Sequence, residues 1–193
     1  MKDVLLTSPE FIRLNSNISD NLNNKVLATA IREAQAIELQ QLIGTNLLEK
    51  LKSIVDTEEY SLPENANYKS LLDYIQFYLS YTAIAKTVML VNYKIDNVGV
   101  VTTRDENIDN ISLDDAYSIQ EYYQKKADHY AYLIQLFLLE HYADYPELTE
   151  PQIYKIRACL YSATNANIWL GGVRGKGFWK QWPYRCQRGN NWP

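Results

Sequence analysis

Two long stretches of this chain repeat apolar residues at helical spacing, and matched stripes of that length are most readily hidden against each other. From Tyr68 to about Tyr93, the positions Leu71, Ile75, Tyr78, Thr82, Ala85 and Met89 alternate four and three residues apart, the seam of a long helix packed along a neighbour. From Ser112 a second stripe runs through Ala116, Gln120, Tyr123, Ala127, Tyr130, Ile134, Phe137 and His141 to the Pro146 region, which predicts a helix of about eight turns. Ser112 followed by Asp115 reads as its cap, the Asp replacing the Glu or Gln of a capping box, and Asp114 and Asp115 both favour the positive end of the helix dipole. The expected fold is all-α: an antiparallel helical bundle with two long helices, an extended loop between them and a C-terminal docking arm.

Elsewhere the signals are shorter. Leu27, Ile31, Ala34 and Ile37 recur at steps of three and four, predicting an amphipathic helix between Asp20 and Leu42 that Gly44 ends. Thr45 or Asn46 then caps a short helix through Leu47, Leu48, Leu51 and Val55, and the polar run Asp56 to Ala66, with Pro63, is a loop. Between the long helices the character changes. Over Asp96 to Ile111, Val98, Val100 and Val101 around Gly99, followed by Thr102 and Thr103, favour a short extended segment, and Arg104 to Asn110 is a polar loop. A non-helical insertion of this kind in a helical domain commonly carries function. Ile153 to Tyr161 suits a helix by its Ile153, Ile156 and Leu160 and a strand by its aromatic and β-branched content; it is assigned to a short helix.

Charge divides the chain at residue 150. Met1 to Glu150 holds 12 basic and all 23 acidic residues, whereas Pro151 to Pro193 holds seven basic residues and no acidic one. All four tryptophans, Trp169, Trp179, Trp182 and Trp192, fall in the last 25 residues, among Arg174, Lys176, Phe178, Lys180, Tyr184, Arg185 and Arg188 and five glycines. The expected organisation is thus a helical domain over 1–150 and a basic, Trp/Gly-rich arm over 151–193. Three readings of the arm stand: a docking element for a protein, a nucleic-acid binder using stacking and phosphate contacts, or a disordered end. Four tryptophans argue against the last, because disordered tails are poor in aromatics. The acidic body, which would repel a polyanion alongside it, favours protein docking over nucleic acid.

Few groups point to chemistry. There is no Walker A motif, no GxGxxG after a strand, no HExxH and no EF-hand loop. His129 and His141 are twelve residues apart on one helix, too distant to share a metal, and read as helix-face or core residues. Gly171, Gly172, Gly175 and Gly177 precede no helix and lack the Lys-Ser/Thr ending of a phosphate loop, so they read as a flexible connector. Asp114 with Asp115, or Glu58 with Glu59, are helix-start and loop charges rather than a catalytic pair, since adjacent helical side chains do not converge. Neither an enzyme nor a bound cofactor or metal is expected. Cys159 and Cys186 form no CxxC pair, and Val4 to Leu6 is too short for a signal peptide. A reducing intracellular site of synthesis with both thiols free is therefore expected. Ile75 to Tyr93, broken by Gln76, Ser80, Lys86 and Asn92, fails as a bilayer span, and a soluble protein is expected.

Several short motifs in this order resemble those of a known group. A helix with Ile31-Arg32-Glu33-Ala34-Gln35 comes first, and Leu42-Ile43-Gly44-Thr45-Asn46-Leu47-Leu48 then opens a short helix. Two long helices follow around Asn97-Val98-Gly99-Val100-Val101, and Ile168-Trp169-Leu170-Gly171-Gly172 begins a C-terminal arm. The pattern resembles the head-tail connector (adaptor, or neck ring) proteins of tailed bacteriophages, most closely those of crAss-like and related Bacteroides phages. The resemblance implies a structural virion protein at the head-tail junction, made in the bacterial cytoplasm. It further implies a ring of twelve subunits that extends the DNA channel below the portal, lets double-stranded DNA pass without specific binding and offers a platform to a further neck or tail protein. The arm would grip the portal through residues of the Trp169 to Trp192 segment, and Asn97 to Thr102 would lie at a ring contact or the channel wall. A small helical nucleic-acid-binding or regulatory domain is the alternative. An enzyme whose site a partner completes is a weaker one, because no catalytic group is found for it.

Overall fold

The computed structural model describes residues 4–96, 99–102 and 112–169. Over these residues the fold is all-α, interrupted by one short hairpin. In chain order the elements are α1 (Pro9–Asn15), α2 (Asn24–Glu33), α3 (Gln40–Ile43), α4 (Thr45–Asp56), α5 (Ala66–Asn92), β1 (Tyr93–Asp96), β2 (Gly99–Thr102), α6 (Leu113–Glu140) and α7 (Glu150–Trp169). A π-helical turn, Ala34–Leu39, fuses α2 to α3.

The two predicted long helices are α5 and α6, and they run antiparallel. Rings pair between them so that numbers rise on one as they fall on the other: Tyr74 with Phe137, Phe77 with Tyr130 and Tyr81 with Tyr123, at centroid distances of 5.5, 5.3 and 6.5 Å. Ser112 caps α6 as expected, its Oγ accepting from the Asp115 amide at 3.1 Å and donating to Asp115 Oδ2 at 2.7 Å.

Apolar side chains bury in two clusters. The larger joins Leu39, Ile43, Leu47, Leu51 and Ile54 to Leu71, Ile75 and Leu79 of α5, Ala127, Ile134 and Leu138 of α6, and Ile156 and Leu160 of α7. The smaller is formed by Ile12 of α1, Leu27, Ala30 and Ile31 of α2, and Ala83 and Ile84 of α5. Burial of Ile156 and Leu160 shows that the charge step at residue 150 is not a packing boundary, because α7 closes the main core.

Four local expectations differ from what is found. The helix expected over Asp20 to Leu42 starts at Asn24, capped by Asn23, and carries the π turn. Neither Thr45 nor Asn46 caps α4: Gly44 occupies that position with φ 85° and ψ 162°, a region open essentially to glycine alone. The segment around Ile153 belongs to a 20-residue helix, since the Thr149-Glu150-Pro151-Gln152 start supplies a capping glutamine and an N-terminal proline. Cys159 is disulfide-bonded rather than free. No helix among the described residues is long and apolar enough to cross a membrane.

Candidate functional site

The molecule has two unlike ends. At one, which we call the corner end, α4 meets the start of α5, the end of α6 and the start of α7, and polar side chains lock these elements together. The Tyr68 hydroxyl reaches both Glu147 oxygens at 3.0 Å, and the Tyr145 hydroxyl donates to the Asn67 carbonyl at 2.8 Å. The two tyrosine rings meet edge to face at 5.3 Å. Burial first, and the Glu147 carboxylate second, push the Tyr68 hydroxyl up to about 12, so it stays a neutral donor. Burial likewise raises Tyr145. Gln152 Oε1 accepts from the Thr149 amide and hydroxyl at 2.9 and 3.1 Å, and its amide nitrogen occupies the space a Gly44 side chain would fill, 1.7 Å from an ideal Cβ. The glycine of the Leu42–Leu48 motif thus seats the cap of α7.

The N-terminal segment is held by a comparable device. Gln35, 4 % exposed in the π turn, accepts from the Leu6 amide and donates to the Val4 carbonyl, each at 2.9 Å. The glutamine of the Ala34-Gln35 motif therefore stands in for a missing backbone partner of Val4 to Leu6.

At the hairpin end the side chains leave apolar surface open. Antiparallel packing brings the last turns of α5 beside the first turns of α6, and Leu90, Val91, Leu113, Tyr117, Ile119 and Tyr122 there are each more than a third exposed. An open groove of about 220 Å³ runs between them, walled by Ile18, Leu22, Ile84, Val88, Val91 and Ile119. Among the described residues β1 pairs with β2 alone, Tyr93 opposite Thr102 and Asp96 opposite Gly99, in a two-stranded sheet. Such a pair is marginal on its own, and no described residue fills either outer edge.

Beside this groove lies a second, of about 580 Å³, where the end of α1 faces α5 and α6. Its floor is Lys126, whose Nζ sits 4.5 Å from the Tyr122 ring centroid, 5.3 Å from that of Tyr81 and 5.5 Å from that of Tyr123. Hydrogen bonding to Tyr122 is the main cause holding this ammonium in its charged form. Leu14, 85 % exposed, forms the rim.

Of the residues singled out in sequence, Gly99, Val100, Val101 and Thr102 form β2, while Asn97 and Val98 lie outside the described residues. Trp169 is the last residue of α7. Arg174, Lys176, Phe178, Trp179, Lys180, Trp182, Tyr184, Arg185, Arg188 and Trp192 lie outside the described residues. His129 meets Tyr130 edge on at 5.8 Å, and His141 packs on Phe137 at 4.6 Å with Asp144 3.6 Å away. Sequence reasoning missed α1, β1 and the Lys126 groove. The run Tyr122-Tyr123-x-x-Lys126 signalled only neighbouring helical positions, since Tyr81 and Leu14 join it from elements distant in sequence.

Comparison with curated proteins and with solved structures finds no match. A family model matches residues 39–158, which span α3 to the middle of α7 and hold most of the larger core. The chain belongs to that family, DUF6712, a family of unknown function.

Proposed function

We propose that this chain is a structural subunit that assembles into a ring, and that the ring is a head-tail connector of a tailed phage, seated under the portal and extending its DNA channel. One observation carries the ring: a two-stranded sheet whose outer edges take no strand among the described residues adjoins exposed Leu90, Val91, Leu113, Tyr117 and Ile119. Exposed apolar side chains at this density suit an interaction site. A ring needs contacts between two different patches of each copy, and the hairpin end offers distinct grooves and strand edges for that purpose. The connector assignment rests on the motif resemblance, and it assigns twelve copies and a tail-side partner to the ring. The basic arm then docks on the portal through Trp179 and Trp182, with Arg185 and Arg188 facing acidic groups there.

Electron microscopy of the purified full chain at high concentration tests the ring, which predicts annular particles with a central hole. A chain that stays monomeric at every concentration would sink the reading. For the arm, truncation after Gly175 should preserve helicity but abolish attachment to portal-containing particles. Trp179→Ala should weaken it at least tenfold, as about 1.4 kcal/mol would. Attachment that survives truncation, together with DNA binding by the full chain that falls steeply with salt, replaces docking by the nucleic-acid reading.

A further inference from the structure

The Lys126 groove brings together side chains for which the ring has no use. Lys125 takes the Glu121 carboxylate at 3.4 Å. Lys126, one residue on, forms no ion pair among the described residues and lies on the rings of Tyr81, Tyr122 and Tyr123 instead. Those rings restrict the ammonium, so a bound anion has less ordering to impose on it. The groove, of about 580 Å³, is open to solvent and has the size of a small-ligand site. Its single cation suits a ligand that brings one negative charge.

The rest of the lining says what else that ligand carries. Tyr122 is 55 % exposed and Leu14 85 %, so both keep apolar surface for a flat ring. At the end of α1, Asn15 donates its amide to the Phe11 carbonyl at 2.9 Å and retains its carboxamide oxygen, and exposed Asn17 offers a donor and an acceptor. An ammonium for a phosphate, tyrosine surface for a base and carboxamides for its edge are the groups that hold an unpaired nucleotide. An acidic side chain would satisfy the ammonium and leave the rings and carboxamides unused. A duplex, its bases stacked inside, would offer the tyrosines no ring. We infer that the Lys126 groove binds a nucleoside phosphate, as a free nucleotide or as one residue of an unpaired strand, with the phosphate on Lys126 and the base against Tyr122 and Leu14. This site goes beyond the ring and is independent of it, because every residue that builds it belongs to one chain.

Full-length protein titrated with a short fluorescein-labelled oligothymidylate, read by anisotropy, tests it. Lys126→Glu and Tyr122→Ala should each weaken binding at least tenfold with unchanged circular dichroism, and Lys126→Arg should bind like wild type. Because one phosphate of a single strand adds about 0.7 to the salt slope, Lys126→Gln should lower the wild-type slope by about that amount. Thymidine monophosphate that competes at the same nucleotide concentration as unlabelled strand assigns the site to free nucleotides; competition by the strand alone assigns it to unpaired nucleic acid. With an iodouridine-substituted strand, photo-cross-links should fall on Tyr81, Tyr122 or Tyr123. No binding, binding indifferent to both Lys126→Glu and Tyr122→Ala, displacement by inorganic phosphate as effective as by nucleotide, or cross-links confined to the tryptophans of the arm would each overturn the site. Annular particles formed by variants that no longer bind would leave the ring standing, and binding by a chain that stays monomeric would keep the site without the ring.

Discussion

The corner end and the hairpin end are built from the same two helices, yet they resolve the demands of burial differently. At the corner, α4 and α7 cover α5 and α6, and the polar groups there, Tyr68, Glu147, Tyr145, Thr149 and Gln152, find partners within the chain. At the hairpin end no described helix covers Leu90, Leu113, Tyr117 or Ile119, and Lys126 lies against aromatic faces. One end is completed by folding. The other is suited to completion by association, so substitutions at the two ends should divide cleanly between loss of stability and loss of assembly.

The largest effect is expected where the ends share their support. Ile75 and Ile134 are both fully buried in the larger core, and replacing either with Asp strands a charge there at a cost of several kcal/mol, comparable with the whole stability of such a domain. Both variants should lack a cooperative melting transition; a folded Ile75→Asp protein would contradict the packing of α5 on α6. Next in size is Gly44→Ala at the corner. Its φ of 85° strains any L side chain, and the added Cβ would push the Gln152 amide from its place. A loss of about 1–3 kcal/mol is expected, visible as a melting temperature several degrees lower, with assembly of the remaining folded protein intact.

Alkaline titration gives a finer test of the corner. Burial and Glu147 raise Tyr68 to about 12 from its ordinary 10, so the folded state favours the neutral phenol. Its contribution is complete below pH 10 and disappears as pH rises from 10 to 12. Urea midpoints should fall between pH 9 and pH 11. Tyr68→Phe should start about 1 kcal/mol lower at pH 7 and fall less over that interval, retaining the part due to Tyr145 and Tyr78, which burial also raises. An identical slope in both proteins would show that Tyr68 ionises without consequence. The smallest effect on stability belongs to the hairpin end. Leu113→Ser with Ile119→Ser should shift melting by no more than about 2–4 °C, the equivalent of about 1 kcal/mol in a chain of this size, while reducing self-association by an order of magnitude. A large stability loss with unchanged assembly would reverse the comparison.

What was legible in the sequence was whatever depends on local periodicity. The stripes of α5 and α6, the Ser112 cap and the break at Gly44 follow from spacing and backbone preference within a few residues, and they stand where expected. The hairpin was half legible: Gly99 to Thr102 shows its β-branched character, but Tyr93 to Asp96 continues a helical stripe and becomes a strand through pairing across the turn. The extent of α7 was hidden because its aromatic and β-branched residues suit either structure, and burial of Ile156 and Leu160 decides between them. Of the candidate site, the valine segment was visible. The Lys126 groove was not, because it joins α1, α5 and α6 across more than a hundred residues.

The π turn between α2 and α3 acts as a change of phase. Leu27, Ala30 and Ile31 keep the ordinary helical step in the smaller core, and the apolar residues after them that reach the larger core are Ala34, Leu39 and Ile43, so one continuous rod passes from one core to the other through the turn. The family match begins at Leu39, where this second phase starts. Deleting one residue from the turn, at half-exposed Ile37 for example, would let the rod close as a regular helix and rotate everything before it by about 100°. Leu14 and Ile18 would then swing away from the tyrosines of α6, so the azimuth of the N-terminal arm, and with it the shape of both grooves, is set by a single extra residue.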